Sequence, residues 1–126
     1  MEKIIISTDH APQAIGPYSQ AIEINGMLFI SGQIPIDPST GKIVDGGIEE
    51  QTEQVMKNIG AILTAAGCSY GNVVKSTCLL ADMKYFADMN KVYARYYPTL
   101  PPARAAFAVK ELPLQVLVEI ETIAVK

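Results

Sequence analysis

Three ionic side chains sit where strand chemistry does not ask for them. Arg104 lies among alanines in residues 101–109, PPARAAFAV, and Glu119 and Glu121 interrupt the apolar run 116–125, VLVEIETIAV. Strand interiors deplete acidic residues, and buried charges persist only when paired or used. The chain has two arginines, Arg95 and Arg104, against eight lysines. A guanidinium offers two parallel donors to a carboxylate, a geometry an ammonium lacks. A guanidinium and a carboxylate close together in an apolar sheet have the composition of a small-anion site. A second reading stands beside it: Arg104 forms a cross-strand ion pair with Glu119 or Glu121 that serves the fold alone.

Two other places suit chemistry. Gly32 falls inside a strand pattern in Ser31-Gly32-Gln33, where a glycine marks a bulge or a close approach to the backbone. Tyr18 follows a Gly16-Pro17 turn; its plain reading is a packing residue with its hydroxyl in water.

The elements that must position these residues are legible. Residues 3–7 hold Ile4-Ile5-Ile6, a short strand, and residues 21–24 and 27–34 form two strands around Asn25-Gly26, the strongest short hairpin signal. In the second, alternation puts Met27, Phe29, Ser31 and Gln33 on one face and Leu28, Ile30, Gly32 and Ile34 on the other. Residues 35–47, rich in Gly and Pro, read as a loop. A helix follows, with Ile48, Thr52, Val55, Ile59, Ile62 and Ala66 at alternating spacings of four and three, acidic residues in its first turns and Gly67 at its end. Residues 73–81 form the next strand. Asp82 caps a second helix whose stripe of Phe86, Met89, Tyr93, Tyr96 and Tyr97 reads as core. Pro98, Pro101 and Pro102 stop it, and two strands separated by Leu112-Pro113-Leu114 close the chain. The order predicts one α+β domain over residues 1–126, a mixed, mostly antiparallel sheet with two helices on one face. Both parities of 116–125 are apolar, so the second face asks for a cover, and an oligomer supplies it most simply.

Composition narrows the function. The chain has 126 residues, 49% of them hydrophobic, and a net charge of −3, which disfavours a nucleic-acid backbone. No apolar run approaches the roughly 20 residues of a membrane span, and the first residues lack a signal peptide's apolar region, so a cytoplasmic protein without a membrane partner is expected. Cys68 and Cys78 lack metal-site spacing, and His10 is the only histidine; no zinc site is expected, and the cysteines read as small core residues.

The blocks AIGPYSQA (14–21), FISGQIPIDPSTG (29–41), IEEQTEQVMKNIGAILTAAG (48–67), FADMNKVYARYYP (86–98), PPARAAFAV (101–109) and VEIETIAV (118–125) resemble the RidA/YjgF family of enamine/imine deaminases. The resemblance covers nearly the whole chain. It implies a chorismate-mutase-like fold assembled as a homotrimer with clefts between subunits. It also implies hydrolysis of 2-aminoacrylate or 2-aminocrotonate, through their imines, to 2-oxo acids and ammonia without a cofactor or metal. By motif, Arg104 would grip the substrate carboxylate and the Gly32 N–H would reach the same group. Glu119 would orient or deprotonate water, or protonate the leaving nitrogen. Tyr18 would line the cleft, Ser31 and Gln33 flank Gly32 at the substrate, and Asn90 lies nearby. Many relatives have a cysteine two residues after the arginine; here that substrate-facing position is Ala106, so a cysteine nucleophile is not available there. A trimeric ligand-binding or chaperone-like protein is the alternative, and a ribonuclease or translation inhibitor a further one that the acidic balance opposes.

Overall fold

A computed structural model describes residues 2–126. In chain order the elements are β1 (Ile4–Ile6), β2 (Ala21–Ile24), β3 (Met27–Gln33), β4 (Ile36–Asp37), β5 (Lys42–Ile43), α1 (Ile48–Ala65), β6 (Val73–Leu80), α2 (Phe86–Tyr96), β7 (Ala103–Ala108) and β8 (Val118–Val125). Six strands make one sheet in the order β1-β2-β3-β8-β6-β7. Every neighbouring pair is antiparallel except β6 and β7, which run parallel. The expected α+β architecture is the one observed.

Local chemistry explains most of these elements. Asn25 and Gly26 turn the β2–β3 hairpin with φ of 52° and 78°, the positive values that a two-residue primed turn requires. All six stripe residues of α1, including Ala66 just past its end, are buried. The Glu50 carboxylate accepts from the Gly47 N–H at 2.8 Å, which closes the helix start and holds its pKa below the usual carboxylate range. Asp82 does cap, accepting from the Lys84 N–H at 2.8 Å, but it caps a single 3₁₀ turn, Met83–Tyr85, that runs on into α2.

One expectation needs correction. The stretch 35–47 is not only loop: β4 and β5 pair antiparallel, Ile36 with Ile43 and Asp37 with Lys42. Asp37 builds the turn by accepting from Ser39 N–H at 2.9 Å and Ser39 Oγ–H at 2.7 Å.

The two helices cover one face. Along β8, Val118, Ile120, Thr122 and Ala124 are buried beneath them, while Glu119, Glu121, Ile123 and Val125 alternate onto the other face. That uncovered face also shows Met27, Phe29 and Phe107. Cys68 and Cys78 are free and buried, and burial pushes the Cys78 thiol up to about 11, in keeping with core roles. His10 is exposed, as expected.

Candidate active site

Arg104 sits on β7, the edge strand, directly beside Ser76 of β6. Ser76 in turn pairs with Thr122 of β8, and both are buried on the helix-covered face. Paired residues project to the same side, so Arg104 rises toward α2. There its Nη1 donates to Asn90 Oδ1 at 2.6 Å. Its guanidinium carbon lies 5.4 Å from the centre of the Phe86 ring and 5.0 Å from that of Tyr93. A cavity of about 500 Å³ opens beside it, lined by Asn90, Tyr93, Tyr97, Pro101, Pro102 and Arg104. Ala106 follows on the same face, next to Cys78.

The ion-pair reading of Arg104 is therefore overturned. Its strand neighbour is a serine, and its charge meets aromatic faces and an amide rather than Glu119 or Glu121. Among the described residues, the ion pairs join Lys91 to Glu49 and Lys126 to Glu23.

Glu119 belongs to a second group. Between Ile30 and Gln33 the β3–β8 register slips, with Ile30 opposite Thr122 and Gln33 opposite Ile120. Three steps on β3 match two on β8, which is a β-bulge. The bulge corrects the simple alternation expected for this strand. Gln33 joins Leu28 and Ile30 on the buried side, with only 5% of its surface exposed, and Gly32 turns toward Glu119. A Cβ built on Gly32 would collide with Glu119 Oε2 and lie 3.0 Å from its Cδ. Glycine thus leaves room for the Glu119 carboxyl where it stands, and both meanings of a strand glycine, bulge and close approach, hold at this one residue.

Tyr18 adjoins the glycine of this group. It is 54% exposed and shares with Gly32, Gln33, Ile15, Pro113 and Leu114 the lining of a cavity of about 200 Å³. The segment before β2 is tied to β3 at Ser31, whose Oγ–H donates to the Ser19 carbonyl at 2.6 Å and whose N–H donates to Gln20 at 3.0 Å. Ser31 therefore uses its hydroxyl to hold the loop bearing Tyr18. The rim residue Leu114 and its neighbour Gln115 have φ of 54° and 58°, a left-handed pair without glycine. The Leu-Pro-Leu break hinted at a stop between strands but not at a strained turn beside a cavity.

Burial raises the Glu119 pKa above the ordinary carboxylate range, and the charge of Glu121 on the same face adds to the effect. A carboxyl so placed keeps its proton to higher pH, which suits proton transfer to a weakly basic nitrogen.

The predicted residues thus fall into two clusters. Arg104, Asn90 and Ala106 lie on the helix-covered side or against α2; Glu119 lies on the opposite side with Gly32 against it, and Tyr18 shares a cavity with Gly32. A single chain does not bring the guanidinium to the carboxyl.

The family model described as Endoribonuclease L-PSP matches residues 8–126. The chain is 52% identical to the 2-iminobutanoate/2-iminopropanoate deaminase of Mus musculus, over 97% of this chain and 90% of the mouse protein. Among solved structures, a putative endoribonuclease from Thermotoga maritima superposes with a TM-score of 0.97 at 53% identity, covering 100% of this chain and 98% of that one. E. coli TdcF with bound serine superposes with a TM-score of 0.93 at 40% identity, over 98% of each chain.

Proposed function

The chain belongs to the RidA/YjgF family, and we propose that it hydrolyses 2-imino acids such as 2-iminobutanoate and 2-iminopropanoate to 2-oxo acids and ammonia. The observation that carries the reading is a pair of complementary half-sites. One holds a guanidinium with unused donors, the other a glycine backbone and a carboxyl of raised pKa. A 2-imino acid needs both: a clamp for its carboxylate and a proton donor for its nitrogen.

The half-sites meet when Arg104 of one subunit faces Glu119, Gly32 and Tyr18 of a neighbour. This supports a homotrimer with a cleft at each subunit boundary, closed over the apolar sheet face that carries Met27, Phe29 and Phe107. In the cleft the carboxylate binds Arg104 through Nε and Nη2, since Nη1 is engaged by Asn90. The Gly32 N–H, free of any side chain, takes a second position on that carboxylate. Protonated Glu119 donates to the imine nitrogen, and water adds to C2. The resulting carbinolamine loses ammonia as its hydroxyl becomes the 2-oxo group, and the added proton returns to Glu119. The imine carbon is already electrophilic, so positioning and one acid/base group suffice, with no nucleophile at Ala106 and no cofactor.

The test generates imine with a threonine dehydratase in the presence of semicarbazide, which traps imine before it hydrolyses. Wild-type protein should lower the trapped fraction, and Arg104→Ala should not. A wild type that leaves the trapped fraction unchanged would refute the proposal. Cleavage of RNA by the purified chain would favour the ribonuclease reading, which a net charge of −3 opposes.

A further inference from the structure

The guanidinium of Arg104 is held from one side by one element. Phe86, Asn90 and Tyr93 are spaced by four and three residues along α2, so they form a single stripe at the level of the arginine. Their chemistries differ in a useful way. The two rings offer negative π faces to a cation, and the amide oxygen accepts one N–H without bringing a charge. Arg104 itself lies exposed on an edge strand, where a long side chain would otherwise sample many rotamers.

We infer that α2 is a positioning element for this reaction: Phe86, Asn90 and Tyr93 lock Arg104 in advance, with its Nε–Nη2 edge turned out for a carboxylate. The inference rests on the deaminase reading for the identity of that carboxylate. It assigns Asn90 to the arginine rather than to substrate, and it gives two aromatic residues of the second helix a role beyond the core. The neutrality of position 90 is central. An aspartate there would pair with the guanidinium and compete directly with the substrate.

The stripe is also anchored at depth. The Tyr93 ring packs 4.8 Å from that of Tyr97, and both hydroxyls are buried near Ser76 without a well-formed hydrogen bond. Among the described residues no hydrogen bond joins the Tyr93 hydroxyl to Arg104, so its ring face carries the contact. Phenylalanine should replace tyrosine at 93, and leucine should not.

The experiment measures equilibrium binding of 2-oxobutanoate, and kcat and KM for trapped-imine turnover, in Asn90→Ala, Asn90→Asp, Tyr93→Leu and Tyr93→Phe. Thermal unfolding of each variant confirms that it folds. The expected result is a KM and Kd raised about tenfold in Asn90→Ala and further in Asn90→Asp, with a much smaller change in kcat. Tyr93→Leu should raise both by roughly three- to thirty-fold, and Tyr93→Phe should restore wild-type values. If Arg104-dependent binding and turnover are present but all four variants bind as the wild type does, the positioning role is overturned and the deaminase reading survives. If the wild type shows neither Arg104-dependent binding nor Arg104-dependent turnover, both fall together.

Discussion

The side chain of Glu119 occupies the space that any side chain at position 32 would need: a Cβ on Gly32 would meet Glu119 Oε2 and approach Cδ to 3.0 Å and Cγ to 3.3 Å. The bulge in β3 and the glutamate of β8 are thus one device. It sets a carboxyl against a bare backbone, where a substrate can touch both.

Gly32→Ala should therefore displace the Glu119 carboxylate rather than unfold the chain, since the colliding atoms are the far part of a side chain. The expected outcome is a loss of at least about tenfold in kcat/KM with a stability change near 1 kcal/mol. Imine turnover and thermal unfolding of the same sample check it. Undiminished turnover would detach Glu119 from the chemistry.

The pH dependence follows from Glu119 and its neighbour. Its folded pKa is raised, first by burial and then by Glu121. In the substrate complex, where the bound carboxylate offsets the charge of the neighbour's Arg104, the ionisation assigned to Glu119 in the kcat profile should lie above the usual carboxylate range, with activity falling as pH rises through it. Glu121→Gln removes the like charge and should move that ionisation to lower pH, and Glu119→Gln should abolish it. A raised acid pKa also means that Glu119 favours the folded state at low pH, an advantage lost as pH rises through the folded pKa. Glu119→Gln should accordingly lose less stability than wild type between pH 4 and pH 7, measured by denaturant unfolding.

Arg104→Lys tests the fork rather than the charge. An ammonium keeps the attraction but loses the bidentate geometry and the flat contact with Phe86 and Tyr93. KM for imine should rise roughly ten- to hundred-fold, equivalent to about 1.4–2.8 kcal/mol of binding, with kcat changed less. Steady-state kinetics decide this.

A stability prediction comes from the sheet interior. Thr122 pairs across the strands with Ser76, yet among the described residues its buried hydroxyl has no hydrogen-bond partner. Thr122→Val keeps the shape and the β-branching and removes the orphan group. It should stabilise the fold by about 1 kcal/mol in urea denaturation.

Much of this architecture was written locally in the chain. The stripe of α1, the Asn25-Gly26 turn and the two final strands each carry their own period or punctuation. What stayed hidden depends on register between distant segments. Alternation along β3 places Gln33 beside Phe29, and only the bulge against β8 puts it inside. Arg104 and Glu119 looked like neighbours because both interrupt apolar strands. Their separation follows from the parallel pairing of β7 with β6, which sets Arg104 beside Ser76 and so on the helix side. The strands β4 and β5 have two residues each, too few for an alternating pattern to show. The aromatic stripe of α2 was legible as core, but its second task, holding an arginine from another element, has no local signal.

The most direct test of the divided site is complementation between two inactive chains. Arg104→Ala and Glu119→Gln variants carrying different tags are co-expressed, and oligomers containing both are isolated. In a trimer that draws Arg104 and Glu119 from adjacent subunits, one cleft in three has both groups intact, whichever variant is in excess. The expected turnover of imine is about a third of wild type, from parents that are each nearly inactive. Mixed oligomers as inactive as their parents would contradict the account, because they would place both groups in the same chain's site.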